Sequence, residues 1–393
     1  MKIAYISPSF MSDVDLSLLP ALSKDNCVDY FLILTPYNLR AAAINITEQE
    51  KEPGVLPVTV YPELSHHTKI VPPEHFFIVN DTGKHQYSPS SYKCYWKLYK
   101  FLKQQEYDII HFTWPFSIPA SILYLLRKRM VMTVHDPFPH SSYNNLYIKL
   151  VRKMAFHHTR HFILLNNSQK KEFISYYNLH DKNIYDSELS TYSYLHIYDD
   201  ANCAPSIDYN QRYILMFGNI FTHKGADILL EAMDKIHAAH PDIKLVIAGR
   251  WKWNYEKKEH YNHTEYIDLL DRYIPDQELA LLIKNSLFCI CPYKDATQSG
   301  VVMSAFTFSK PVVATNVGGI PEMVLHDKYG IIVPPNNIEA LAEAIIALLN
   351  SPDKISLMVS NITNDYNEGI HSWTYIADNL KCIYENVVKD YSN

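Results

Sequence analysis

No apolar run in this sequence reaches the ~20 residues that span a bilayer, and the opening MKIAYISPSF lacks the long apolar stretch of a secretion signal. Both absences point to a reduced, cytoplasmic protein. On that reading the Asn-x-Ser/Thr matches, such as Asn45-Ile46-Thr47, are chance. Basic excess is missing too. A formal net charge of -6 excludes the broad positive footprint of a nucleic-acid binder and leaves only local basic patches. Clustered cysteines are absent: of six, only Cys289 and Cys291 are close in sequence. Alternation along a strand turns both to one face, and a zinc site needs four well-spaced ligands. The pair reads as small buried thiols, and no metal is expected.

What is present is a globular composition, 47% apolar and 20% charged over 393 residues, enough chain for two ordinary domains. Short apolar strands alternate with helical stretches: Ile3–Ser7, Tyr30–Leu34, Ile109–Thr113, Val131–Val134 and His161–Leu165, with helices expected at Tyr92–Gln105, Ile118–Arg129 and Asn145–His158. Residues 35–90, rich in Pro, Tyr and His, fit this rhythm poorly and predict irregular strands and loops. A polar stretch at 196–210 reads as a linker. A second series follows, with strands at Tyr213–Phe217, Lys244–Ala248, Phe288–Cys291, Val312–Thr315 and Ile331–Val333. Helical spacing of Trp373, Ile376, Leu380, Ile383 and Val387 predicts a terminal helix. The expected organisation is therefore a first domain over 1–195, a second over 211–370, and a helix over 371–393. The fold class is α/β, with two tandem doubly wound sheets that keep ligands at strand carboxyl ends and in the cleft between domains.

Four strand-to-helix junctions carry candidate chemistry. In the first, an apolar strand ends at Pro292, and Gln298-Ser299-Gly300-Val301 opens a helix. A helix start offers unpaired N–H groups to an anion, Gly300 permits close approach, and Ser299 either caps the helix or donates to a phosphate. The second is Gly218-Asn-Ile-Phe-Thr-His-Lys-Gly225, where Lys224 stands at a helix entrance. The helix dipole does not favour a cation there, so a bound anion and a solvated loop lysine are the competing explanations. In the third, Val312 through Gly318-Gly319-Ile320-Pro321-Glu322, Glu322 either accepts from sugar hydroxyls or complements the helix dipole. The fourth, Thr133-Val-His-Asp136, puts His135 and Asp136 at the carboxyl end of a buried strand, where the imidazole either binds a substrate or is satisfied by backbone.

Taken in order, these pieces resemble the family 4 glycosyltransferases of the GT-B fold. The resemblance is strongest over 213–349, through Gly218–Gly225, Leu245-Val-Ile-Ala-Gly249, Pro292–Glu322 and Tyr329-Gly-Ile-Ile-Val-Pro-Pro335. In the first half it rests on Asp108-Ile-Ile-His111 and Thr133-Val-His-Asp136. It implies sugar transfer from a nucleotide-diphosphate sugar to a glycan or lipid-linked acceptor, as in polysaccharide biosynthesis, with retention and without metal or other cofactor. It also implies a last helix that returns to the first domain. His135 and Lys224 would be catalytic. Asn219, Lys224, Gln298, Ser299, Gly300, Val301 and Glu322 would bind the donor, with Asp136, Asp295 and Ser304 as further sugar contacts.

This chain departs from the family pattern at four places. Two glutamates common around the donor loop correspond to Ala296 and Ser304. An arginine that often follows the first glycine is Asn219, and the N-terminal glycine-rich loop is Ser7-Pro-Ser-Phe-Met-Ser12. The competing reading is a non-catalytic sugar-nucleotide or glycan-binding protein. Lysines 93, 97 and 100 with Gln104, and the cluster Lys149, Arg152 and Lys153, form basic helix faces. These could rest on the anionic inner face of a membrane, or simply be solvated.

Overall fold

The computed structural model describes every residue except 86, 136, 139–145, 166–168, 200–205, 257, 263, 297, 298 and 393. The chain divides into two compact units, unit 1 from Met1–Ser190 with Trp373–Asn393, and unit 2 from Thr191–Ser372. No helix among the described residues is long and apolar enough to cross a membrane.

Unit 1 contains β1 (Lys2–Pro8), β2 (Cys27–Leu34), a small hairpin of β3 (Arg40–Ala41) and β4 (Ile44–Asn45), β5 (Gly54–Pro57), β6 (Phe76–Asn80), β7 (Ile109–Phe112), β8 (Met130–Val134), β9 (His161–Leu164) and β10 (Asn183–Asp186). Its helices are α1 (Ser12–Leu22), α2 (Pro89–Gln105), α3 (Leu146–His158) and α4 (Lys170–Tyr177). The large sheet runs β10-β9-β8-β7-β1-β2-β6-β5, parallel throughout except where β5 pairs antiparallel with β6. The expectation of irregular structure over 35–90 is thus corrected in part: Phe76–Asn80 is a regular strand paired with β2. Its run of Phe77, Ile78 and Val79 lies inside a segment whose prolines and histidines mask it. Ile118–Arg129 winds as a 3₁₀ helix, not an α-helix. Ala120, Leu123 and Leu126 stand three apart and pack into one cluster, the spacing that 3₁₀ winding lines up. The C-terminal helix, Trp373–Ser392, belongs to unit 1 and packs against α1. Trp373, Ile376, Leu380, Ile383 and Val387 form its buried stripe.

Unit 2 contains β11 (Tyr213–Phe217), β12 (Lys244–Ala248), β13 (Ile267–Leu270), β14 (Cys289–Cys291), β15 (Val312–Thr315) and β16 (Gly330–Val333). Its helices are α5 (Ala226–Ala239), α6 (Lys258–Asn262), α7 (Asp276–Asn285), α8 (Gly300–Thr307), α9 (Ile320–Val324), α10 (Ile338–Leu349) and α11 (Pro352–Ile362). All strands are parallel, in the order β13-β12-β11-β14-β15-β16. Successive residues of a strand face opposite sides, so a sheet covered on both faces needs apolar residues throughout. β11 shows this directly. Ile214 and Met216 enter one buried cluster, Tyr213, Leu215 and Phe217 the other. Cys289 and Cys291 share the second cluster as free, buried thiols. The strand order reverses between β11 and β14. A doubly wound sheet keeps its ligand crevice at such a point, beside the loops that leave the carboxyl ends of the two strands.

Candidate functional site

Those two loops are Gly218–Gly225 and Pro292–Ser299. Backbone close approach forces glycine at two points. A Cβ on Gly225, whose φ is +72°, would lie 1.9 Å from the Pro292 carbonyl oxygen, and one on Gly249, at φ +148°, would lie 1.8 Å from that of Gly218. The loops are laced together as well. The Lys294 N–H donates to the His223 carbonyl at 2.7 Å, and Lys294 Nζ donates to Asp227 Oδ2 at 2.6 Å. Behind them Thr315 Oγ1 donates to the Tyr293 carbonyl at 2.5 Å.

Lys224 sits in this frame over the face of Tyr293, its Nζ 3.8 Å from the ring centroid. Burial pulls its pKa below the usual lysine value. It has no carboxylate partner among the described residues. A half-buried cation facing an aromatic ring is held by the ring's quadrupole and keeps its remaining hydrogen-bonding capacity for something else. Ser299 is the N-cap residue of α8, but its hydroxyl does not cap. The side chain is buried and instead lies 3.1 Å from the Tyr293 hydroxyl. That corrects the capping alternative: Tyr293 competes for the oxygen, and the first turn of α8 keeps its N–H groups uncapped by a side chain. Tyr293 thus touches both Lys224 and Ser299. Nothing in its sequence neighbourhood marked it, beyond an aromatic residue just past a buried strand.

The other expected residues fall as follows. Asn219 and Asp295 are exposed on the two loops, and Val301 packs partly against the apolar cluster behind α8. Gly300 is exposed, with the Tyr192 hydroxyl 2.9 Å from where a Cβ would stand. Glu322 is exposed in the first turn of α9. Ser304 turns inward and donates to the Gly300 carbonyl at 3.0 Å, while Ala296 packs against the same apolar cluster as Val301. Gln298 and Asp136 lie outside the described residues.

In unit 1, His135 follows β8 at the carboxyl edge of the sheet. Burial pushes its pKa down to about 3, so the imidazole is neutral at physiological pH. It borders a cavity of about 30 Å³ shared with Tyr5, His111, Thr133, Trp373 and Ile376, room for one water but not for a sugar. His111 is the better-anchored histidine: its ring nitrogens lie 2.6 Å from the Tyr384 hydroxyl and 2.7 Å from Thr133 Oγ1. Among the described residues one cluster has metal-ligand spacing, Cys27, Asp29 and His75. Its carboxylate already serves His75 at 2.7 Å and the Tyr107 hydroxyl at 2.5 Å.

The basic helix faces are less open than their spacing predicts. Arg152 is buried, with Nη2 donating to the Pro137 carbonyl at 2.6 Å and its guanidinium over Phe156, so it leaves the Lys149–Lys153 face. Packing against the aromatic cluster of α3 and α4 explains the change. On α2, Lys97 Nζ donates to the Pro53 carbonyl at 2.8 Å and Lys93 lies 3.6 Å from Glu52.

Comparison with known proteins decides the family. The model for glycosyl transferases group 1 matches residues 203–365, and that for Glycosyltransferase Family 4 matches residues 57–185. The chain belongs to the family 4 glycosyltransferases. An uncharacterized family relative from Methanocaldococcus jannaschii, described as a glycosyltransferase, is 29% identical over 183 residues, 46% of this chain and 49% of its own. The chain spans about half the length of the curated relatives it matches, with 49%, 40% and 46% of the first three covered. Among solved structures, sucrose-phosphate synthase from Thermosynechococcus elongatus superposes with a TM-score of 0.65 at 17% identity, covering 99% of each chain. Anabaena HepE in complex with UDP gives 0.62 at 15% identity, covering 100% of each. At such identities the likeness establishes the fold, GT-B with two Rossmann-like domains. The matched group 1 region contains both loops of the unit 2 crevice.

Proposed function

We propose that this chain transfers a sugar from a nucleoside-diphosphate sugar to a glycan or lipid-linked acceptor, with retention and without a metal. The observation that carries the reading is Lys224. A partly buried cation with no carboxylate partner among the described residues stands at the strand-order reversal of a doubly wound sheet, beside a helix start without a side-chain cap. HepE, which shares the fold, was solved with UDP and with UDP-glucose.

In this mechanism the diphosphate lies against the N–H groups of Ser299, Gly300 and Val301, with Gln298 and Asn219 alongside and Lys224 balancing charge. The bond between the anomeric carbon and the β-phosphate oxygen breaks. The acceptor hydroxyl attacks from the same face, and its proton passes to the departing phosphate oxygen. Each preorganised donor of this kind contributes about 3–4 kcal/mol to such a step. His135, held neutral by burial, is the candidate donor to a sugar or phosphate oxygen from unit 1, a role that requires the cavity of about 30 Å³ beside it to open. Asp295, Gln298 or Glu322 supplies acceptors for sugar hydroxyls in place of the two missing glutamates. The decisive experiment measures turnover of UDP-glucose, GDP-mannose and related donors by Lys224→Ala and Gly300→Trp proteins that remain folded. Near-normal rates in both overturn the proposal.

One observation favours a second reading. Ala296 and Ser304, at the family's glutamate positions, are turned into an apolar cluster and onto a backbone carbonyl. A protein that binds the donor and never cleaves it would look the same there. Donor binding in a thermal-shift assay with no detectable hydrolysis or transfer would support that reading, and any turnover that depends on Lys224 removes it.

A further inference from the structure

A second positively charged recess lies in unit 1, at the opposite edge of its sheet from His135. Its volume is about 520 Å³, well within the range of small-molecule sites. The residues that enter β8, β9 and β10 line it: Arg127 and Lys128 ahead of β8, Thr159 and Arg160 ahead of β9, Asp181 and Lys182 ahead of β10. Asp390 and Tyr391 of the C-terminal helix close one side. Four arginines and lysines therefore face two aspartates, and His157, His158 and His161 stand among them.

Both acidic groups are already engaged. Asp390 lies 3.5 Å from Arg160 Nε and 3.4 Å from His161 Nε2, and accepts from Asn183 Nδ2 at 3.1 Å. Asp181 lies 3.7 Å from Lys182 Nζ. Arg127 and Lys128 are exposed and have no carboxylate partner among the described residues. A single recess thus offers two cations with no carboxylate partner among the described residues, a local positive potential that favours an anion. An independent observation points the same way. Thr159 is fully buried, lines the recess, and its Oγ1 has no hydrogen-bond partner. A buried hydroxyl left unpaired is costly, and natural interiors rarely keep one without a use.

We propose that this recess binds a phosphate-bearing ligand, with Arg127 and Lys128 neutralising the phosphate and the Thr159 hydroxyl donating to one of its oxygens. The ligand is either a free phosphate compound or a phospholipid headgroup, and the chemistry of the site is the same for both. The site is distinct from the proposed donor crevice, which lies in unit 2.

The test uses the full chain with two probes: isothermal titration with pyrophosphate, and flotation with phosphatidylcholine vesicles containing phosphatidylglycerol. The variants are Arg127→Ala/Lys128→Ala and Thr159→Val. Lys224 is intact in every protein, so any pyrophosphate bound at unit 2 is common to all and cancels in the comparison. The double variant should weaken binding at the recess by about tenfold or more, since two charge-assisted contacts are lost. Thr159→Val should weaken it by about threefold while leaving the melting temperature unchanged or raised, because an unpaired hydroxyl is replaced by an apolar group of the same shape. A purely structural threonine would lower stability and leave binding alone. Loss of pyrophosphate binding in the variants assigns a free phosphate compound, and loss of vesicle binding alone assigns a headgroup. Superimposable titrations and flotation across all three proteins, or no binding of either probe, overturn the proposal.

Discussion

Both sheets reverse their strand order, yet the two reversal points could hardly be more different in charge. In unit 2, β11 and β14 release loops that carry Lys224, exposed Asn219 and Asp295, and a helix start. In unit 1 the corresponding strands are β1 and β7, and their ends are drawn together. Ser7 Oγ and Thr113 Oγ1 lie 2.5 Å apart, and Phe10 meets Trp114 edge-on at 5.1 Å. Beneath them burial neutralises what could ionise: Asp15 is pushed up to about 8, His111 and His135 down to about 3. One parallel-sheet wiring thus yields a charged edge and a neutral one. Topology fixes where a ligand can sit, and side-chain burial decides whether an anion would be welcome there.

The harshest way to break this contrast is to destroy the charged edge. Gly249→Val should cost more than about 4 kcal/mol, because it demands a φ that L-residues avoid and collides with the Gly218 carbonyl. Chemical denaturation should show unit 2 melting early while unit 1 keeps its transition. Lys224→Ala comes next. It should lower donor turnover by ~10²–10³-fold, the loss of one charge-stabilising group, while changing stability by less than about 0.5 kcal/mol. A large stability loss with normal turnover would mean that Lys224 is a structural cation resting on Tyr293.

Unit 1 is probed through protons. Asp15 accepts from the Tyr30 hydroxyl at 3.0 Å, and burial holds it protonated to about pH 8 against an ordinary 3.8. Between those values the native state binds a proton that the unfolded chain has released, so stability falls as pH rises through the window. His111 and His135 act in the opposite sense. The unfolded chain takes up protons below 6.5 that the native imidazoles refuse down to about 3, so stability falls as pH drops below 6.5. Asp15→Asn should flatten the decline between pH 5 and 8 in urea midpoints, and a parallel decline in both proteins would remove the assignment. Ser299→Ala should have a modest effect on stability, about 1 kcal/mol, because its hydroxyl serves the buried Tyr293 hydroxyl and no helix N–H. It should reduce turnover less than Lys224→Ala does.

How much of this was legible beforehand differs by scale. The strands at 213–217, 244–248, 288–291 and 312–315 could be read because a sheet buried on both faces leaves unbroken apolar runs, bounded by glycine or polar loops. The junctions at 218–225 and 292–301 followed from them. Phe76–Asn80 was hidden because proline and histidine on either side signal irregularity while the strand itself is short. The 3₁₀ winding of Ile118–Arg129 was hidden because three-residue and 3.6-residue spacings diverge by less than a residue per turn. Tyr293 was hidden for a different reason. Its importance comes from two partners, Lys224 and Ser299, and only the first of these is remote enough in sequence to require the fold. Arg152 shows the same limit from the other side, since a basic residue at basic spacing turned inward to a carbonyl and two aromatic rings.

The C-terminal helix adds a constraint on how the molecule is made. A ribosome delivers residues 191–372, all of unit 2, before it delivers Trp373–Ser392. Throughout that interval unit 1 lacks the stripe of Trp373, Ile376, Leu380 and Val387, and His111 lacks the Tyr384 hydroxyl. Unit 1, begun before unit 2, is thus completed after it. A nascent chain in this state presents an uncovered apolar seam beside α1 until Trp373–Ser392 emerges.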